Sequence, residues 1–443
     1  MTETVHEPAR DVPVHGETDV LVAGGGPAGC AAAFAAARAG ARVTLLERYN
    51  HLGGLSTGGL VIWIDRMSDW TGDLVIGGFA AEILGRLPEP ALAGPARREW
   101  GSRDPATVEH WRARAAAFRG TVTWSPTIDP EWLKLESARL LVEAGVRVQL
   151  HSWVAGVFGD GDGIDGVIFE SKQGRRAIRA TVVVDATGDL DLCAAAGSRY
   201  QSDVEDRESS IQHRLNTSWT WAGVDVRAWL AFKREQPKRH RELLQRGRDE
   251  VGLFELPHVG WRDDVALFMG PRLAGYSGLD VDDLTEVELR SREAMVAHLD
   301  FFRRHMPGFA NAWIAQSGSQ VGVRHTRRLL GLHPMQQREW RDGVRHRDEV
   351  GVSPSPSERF ANVSVPYGCL VSPTLTNVLV AGRHIASDSQ TQAFMREIPQ
   401  CWLTGQAAGA AAAIAANLRV PVRAVDIPTL QAELRRQGAF LHT

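Results

Sequence analysis

The chain has 443 residues, 44% of them hydrophobic, and a formal net charge of −3. That length supplies a large core and predicts two or three domains, while the near-neutral balance excludes the whole chain as a polycationic binder of nucleic acid or acidic membrane. Four scattered cysteines (Cys30, Cys193, Cys369, Cys401), with no C-x-x-C pair, argue against a redox disulfide and against a thiolate metal site. Residues 1–17 lack the apolar stretch of a signal peptide and no run approaches a membrane span, so a soluble, cytoplasmic protein is expected. Lysine occurs only at Lys134, Lys172, Lys233 and Lys238, which leaves few seats for lysine chemistry.

In chain order, residues 18–23 form an apolar strand that runs into Gly24-Gly25-Gly26-Pro27-Ala28-Gly29, followed by an alanine-rich helix over 31–39. Strand, G-x-G-x-x-G turn and helix stand in the order that a dinucleotide pyrophosphate requires. Gly24 serves the tight turn, Gly26 the backbone approach to the phosphates, and Gly29 close helix–strand packing. The N–H groups and positive dipole of the helix start then face the anion. A second strand, 41–46, ends at Glu47, an acid placed to bind ribose hydroxyls and to repel a 2′-phosphate. NAD and FAD both remain open at this point.

Residues 63–119, with Pro88, Pro90, Pro95 and a polar helical run over 106–118, read as an insertion. Asp129-Pro130 introduces an amphipathic helix over 131–144. Strands are expected at 146–150, 154–158 and 164–169. The Gly/Asp run 159–163 is a connecting turn rather than a second phosphate loop, because strands flank it on both sides. A strand over 180–185 meets Ala186-Thr187-Gly188. Residues 200–360 mix charge and tryptophan without β-α alternation and read as a substrate or cap domain. Within them the basic run 233–248 reads as a solvated amphipathic helix. A strand over 377–381 meets Gly382-Arg383, and a helix of small residues is expected over 405–416, opening at Gly405.

The segments GGGPAG (24–29), LLER (45–48), HLGGLSTGGL (51–60), VVDATGDLDLCAAAG (183–197), VGVRHTRRLLG (321–331), NVLVAGRHIAS (377–387) and TGQAAGAAAA (404–413) resemble, in order and spacing, the FAD-dependent oxidoreductase family of the glutathione-reductase-like flavoprotein superfamily. The resemblance implies an α/β fold with a discontinuous Rossmann-like FAD-binding domain over 15–62, 120–200 and 362–425. An inserted α+β substrate or cap domain would occupy 63–119 and 201–361, and a C-terminal helical tail 426–443. It implies FAD as the cofactor, held by Gly24, Gly26, Pro27, Ala28, Gly29, Glu47, Arg48, Gly53, Gly54, Ser56, Thr57, Val154, Ala186, Thr187, Gly188, Gly382, Arg383, Gly405, Gln406 and Ala407. In that assignment the Ser56 and Thr57 hydroxyls run along pyrophosphate and flavin. Residues 186–188 approach the adenine side, and the helix start at Gly405 faces the flavin N1/O2 edge, favouring its anionic reduced form.

A flavin performs the redox step itself, so the chain must position a reacting C–H or N–H and manage protons. The candidate catalytic residues are Arg324 and His325 in VGVRHTRR, Arg396 ahead of the Gly405 helix, and His384 after Gly382-Arg383. The two arginines suit carboxylate or flavin-edge clamps. Each of the four also has an ordinary reading as an ion pair or hydrogen-bonded core residue. His213 is a further candidate from the cap. Cys401 reads as a small buried hydrophobe, and Trp63, Trp70, Trp219 and Trp221 as pocket lining or core. No metal ligand set is expected.

No second G-x-G-x-x-G that opens a helix follows, which argues against a dedicated nicotinamide domain. The leading expectation is a dehydrogenase or oxidase passing a hydride from a small organic substrate, aromatic compounds included, to flavin N5, with no nucleic-acid or membrane partner. An NAD(P)H-driven flavin monooxygenase shares the opening motif but usually has a Gly-Asp-Ala-type loop where this chain reads Ala381-Gly382-Arg383. A flavin halogenase, suggested by Trp219-Thr220-Trp221, would continue to Ile-Pro where Ala222-Gly223 stand here. It would also need a lysine earlier than Lys134. A non-catalytic flavin-binding accessory protein is the remaining class.

Overall fold

The structure is a computed structural model and describes residues 4–202, 215–253 and 256–442; His213 lies outside the described residues. Its main sheet starts with β1 (Val14–Ala23), which passes through the glycine turn into helix α1 (Pro27–Arg38) and returns as β2 (Val43–Leu46). Val20 to Ala23 are wholly buried, the continuous apolar run of a parallel strand covered on both faces. A second crossover leads through α2 (Pro130–Glu143), whose N-cap Asp129 accepts a hydrogen bond from the Glu131 N–H, to β3 (Arg147–Gln149). Strands β4 (Trp153–Phe158), β5 (Gly166–Ser171) and β6 (Gly174–Asp185) complete the order β3-β2-β1-β6-β5-β4. β6 does two jobs. Its first half pairs antiparallel with β5, while β1 runs parallel along most of its length.

A second core forms on a four-stranded antiparallel sheet. Its strands are β7 (Trp219–Ala222), β8 (His258–Val259), β9 (Val265–Phe268) and β10 (Trp313–Ser317), in the order β8-β9-β7-β10. Helices α3 (Val226–Glu235), α4 (Pro237–Val251) and α5 (Val281–His305) accompany it. Trp219 stacks on Phe268 at 4.5 Å, and Trp221 meets Phe302 and Phe309. Trp219 and Trp221 are therefore core, not pocket. The basic stretch expected as one helix is two, because Pro237 cannot continue the hydrogen-bond ladder of α3 and instead opens α4.

The chain then returns to the main sheet as β11 (Val378–Val380), parallel to the end of β6, and closes with helices α6 (Ile398–Leu418) and α7 (Ile427–Arg436). α6 is buried on almost every side. A Cβ at Gly405 would lie 2.1 Å from the Ala28 carbonyl oxygen, and one at Gly409 2.0 Å from that of Ala32. The small residues of α6 exist to let it lie against α1.

Two expectations are corrected here. The helix expected over 106–118 spans Pro105–Ala113, since Ala115 turns to φ +57° and residues 117–118 pair with 121–122 as a hairpin. The helix expected to open at Gly405 starts seven residues earlier, at Ile398, with Glu397 as its N-cap and Pro399 in its first turn. Among the described residues no helix is long and apolar enough to cross a membrane.

Candidate cofactor and substrate site

Four parallel strands end level with one another: Ala23 pairs with Leu46 and with Asp185, and Asp185 with Val380. The residues that follow these ends, Gly24, Glu47, Ala186 and Ala381, all line one cavity of about 1000 Å3, part of it open to solvent. This is where open α/β sheets bind their ligands, beyond the carboxyl ends of the strands.

The three glycines of the turn have different duties. Gly24 takes φ +97°, and a Cβ there would sit 2.5 Å from the Ala186 oxygen. At Gly29 a Cβ would lie 1.7 Å from the Gly24 oxygen, so this glycine serves packing and does not reach the cavity. A Cβ at Gly26 meets no protein atom within 4 Å. The space it would enter is the cavity itself, at the N-terminus of α1, where first-turn N–H groups have no intrahelical partner. An elongated dinucleotide fits that cradle.

The walls are fixed by buried carboxylates. Glu47 accepts hydrogen bonds from the N–H groups of Gly25 (2.6 Å) and Tyr49 (2.8 Å); burial pushes its pKa up despite these bonds. Asp185 accepts from the Thr187 hydroxyl and N–H with one oxygen and from the N–H groups of Leu192 and Cys193 with the other. This folds the turn 186–190 against the strand end. Asp189 pairs with Arg383 at 2.6 Å and accepts from the Thr326 hydroxyl. Burial raises its pKa, but these partners outweigh it and hold the carboxyl below its usual range. Asp191 also lines the cavity, and burial together with the charges of Asp189 and Asp185 pushes its pKa up to about 6.

Of the residues assigned to the cofactor from sequence, the structure brings together at the cavity wall Gly24, Gly26, Pro27, Ala28, Glu47, Arg48, Gly54, Val154, Ala186, Thr187, Gly188, Gly382 and Arg383. The rest stand behind it. Gly53 donates its N–H to the Gly25 oxygen at 2.8 Å. The Ser56 and Thr57 hydroxyls turn inward, donating to the carbonyls of Gly53 and Leu52 at 2.7 Å. Gly405 and Ala407 lie inside α6, and Gln406 ties that helix to the Phe79 N–H and the Gln437 carbonyl. The α6 residues that do reach the cavity are Ile398 and Cys401, nearer its true start; burial pushes the Cys401 thiol up to about 12, which removes it as a nucleophile. Sequence reasoning also missed Tyr49, Ser152, Trp153, Gln320 and Val323.

A second chamber of about 780 Å3 shares Leu55, Val323, Arg383, Arg396 and Ile398 with the cavity. Arg324, Arg272, Glu397, Trp63 and Met269 complete much of its lining. Arg396 reaches Glu397 at 3.3 Å. Burial, with Asp65 adding to it, drives the Glu397 pKa up against the pull of Arg396, Arg324 and Arg272. The two histidine candidates fare differently from the arginines. His384 is wholly buried behind the strand ends, with Nε2 3.1 Å from the Asp185 carbonyl oxygen, and lines neither space. His325 is 1% exposed and lines neither space. Trp63 lines the chamber, whereas Trp70 is buried with its N–H on the Ser355 carbonyl.

Sheet, glycine turn and cavity define a dinucleotide-binding α/β protein. The model of the family described as FAD dependent oxidoreductase matches residues 19–434, and the chain belongs to that family; it is an FAD-dependent enzyme. Two digeranylgeranylglycerophospholipid reductases of Methanopyrus kandleri, numbered 1 and 2, are 32% and 29% identical to it over 180 residues. These matches span 39% of this chain and 40% and 38% of theirs. Among solved structures, a geranylgeranyl bacteriochlorophyll reductase-like protein of Thermoplasma acidophilum aligns over 95% of this chain and 82% of its own. Its sequence identity is 15% and the TM-score 0.43.

Proposed function

We propose that this chain is a dehydrogenase or oxidase of a small organic substrate, within the glutathione-reductase-like flavoprotein superfamily. The observation behind this reading is the second chamber, which shares a wall with the cofactor cavity and is lined by Arg324, Arg396 and Glu397. FAD, when bound, supplies two-electron chemistry by accepting a hydride at N5. Gly24, Gly26 and the start of α1 would hold its pyrophosphate, and Glu47 the ribose. Arg324 and Arg396 orient the substrate. Glu397 exchanges the substrate proton, since a carboxyl pushed up by burial lies nearer neutral pH than an ordinary one. In the domain division proposed with this reading, 63–119 and 201–361 supply Trp63, Met269, Arg272 and Arg324 to the chamber.

The reading expects no dedicated nicotinamide unit, because no second glycine turn of this sequence opens a helix. Anaerobic mixing tests the reading. NADH or NADPH should bleach the bound flavin slowly, and a panel of small organic acids and alcohols should contain one that bleaches it fast. Fast reduction by NADPH, accelerated by an organic ligand, would overturn it in favour of a monooxygenase. With a productive substrate, Arg324→Ala should slow reduction by about 10²-fold through lost positioning while FAD stays bound, and Arg396→Ala should do so with FAD content checked, since Arg396 also lines the cofactor cavity.

A further inference from the structure

Away from both cavities, His333, His346 and Asp348 converge: one ring nitrogen from each histidine and one carboxylate oxygen lie within 4.8 Å of one another. We propose that these three side chains form a binding site for a borderline divalent cation of the Zn2+ type. With no pair further apart than 4.8 Å, one point lies within about 2.8 Å (4.8/√3) of all three atoms. A small rotamer adjustment then reaches the roughly 2.0–2.2 Å of Zn2+–imidazole and Zn2+–carboxylate bonds. Two imidazoles and one carboxylate select such an ion over Mg2+ or Ca2+, which take mostly oxygen ligands in larger number.

The ligands are held by their surroundings. His333 donates its main-chain N–H to the Gly368 carbonyl at 3.1 Å, and Asp348 accepts the Gly368 N–H at 3.2 Å, so one buried turn positions both. The Glu339 carboxylate lies 3.0 Å from His333 Nε2, and its other oxygen accepts the Gln336 N–H. A carboxylate behind a histidine is the contact that fixes ring orientation at metal sites. The His346 ring meets that of His333 edge-on at 4.8 Å.

Tag-free FAD-loaded protein, stripped with a chelator and titrated calorimetrically with Zn2+, should bind one equivalent. His346→Asn and Asp348→Asn should each weaken binding by tenfold or more, and Glu339→Gln by about 10–100-fold, with FAD content unchanged. Unchanged affinity in His346→Asn overturns the site, as does Mg2+ competing as well as Zn2+ does. Should Asp348→Asn lose FAD through misfolding, His346→Asn decides alone, because the His346 ring contacts only its proposed co-ligand among the aromatic pairs described.

Discussion

Replacing Gly26 by valine separates cofactor binding from folding within a single turn. The backbone at Gly26, φ −69° and ψ −173°, lies in the extended region that a residue before proline favours, so valine adopts it without strain. A Cβ there meets no protein atom within 4 Å. Valine in place of glycine at this N-cap should therefore cost the apoprotein at most about 1 kcal/mol. The loss falls on the ligand. A branched side chain placed in the cofactor's space is an overpacking of about 1–3 kcal/mol. At about 1.4 kcal/mol per decade this is roughly a 5- to 140-fold rise in the FAD dissociation constant. Apoprotein titrated with FAD, read by quenching of flavin fluorescence, gives the constant, and circular dichroism gives the melting temperature of the same sample. A variant with wild-type FAD affinity would refute the assignment of the cavity, whatever its melting temperature.

Gly409→Val should give the opposite pattern: its Cβ would start 2.0 Å from the Ala32 oxygen, so the α1–α6 contact opens and both soluble yield and melting temperature fall. His384→Ala should cost about 2–4 kcal/mol in denaturant unfolding, through a cavity and a lost hydrogen bond, rather than change a pH–rate profile selectively. Asp191 titrates near 6 when folded against a reference of 3.8, so the native state holds the extra proton between those values. Its contribution to apoprotein stability is greatest below about pH 3.8 and is lost as pH rises through 6. Asp191→Asn should therefore gain on wild type as pH climbs through that window in urea melts, by an amount tempered by the 45% exposure of the side chain and by loss of the Arg327 pairing; no gain between pH 4 and 7 would count against the shift.

Local patterns were legible where a single segment decides its own geometry. The apolar run into Gly24 and the strand end at Asp185 fall where their residues predicted, and the last strand ends at Val380, one residue short of the expected Ala381, because strand, turn and helix start are read within a few positions. The small-residue helix was misplaced for a physical reason. Gly405 and Gly409 announce a close neighbour, and a close neighbour is needed mid-helix as much as at a terminus. Pro399 was the better signal, since proline is tolerated in a first turn and not deep inside a helix. Ser56 and Thr57 show the same limit: a hydroxyl beside glycines marks a turn, and the direction it faces depends on whether neighbouring carbonyls claim it. Nothing local distinguishes His384, buried on Asp185, from Arg396, which lines both spaces. Burial at these positions is decided by segments nearly two hundred residues apart.

The level strand ends have a consequence for assembly. The cavity floor is made by residues 24, 47, 186 and 381, contributed by segments scattered over most of the chain, and its rim includes Ile398 and Cys401 from a helix near the end. A chain that has emerged only as far as the start of its cap has three of these four floor residues and lacks the wall made by Ala381, Gly382, Arg383 and Ile398. The cavity is complete only once β11 has docked, so tight flavin retention, visible as the yellow colour of a preparation, should serve as a readout of finished folding without any substrate.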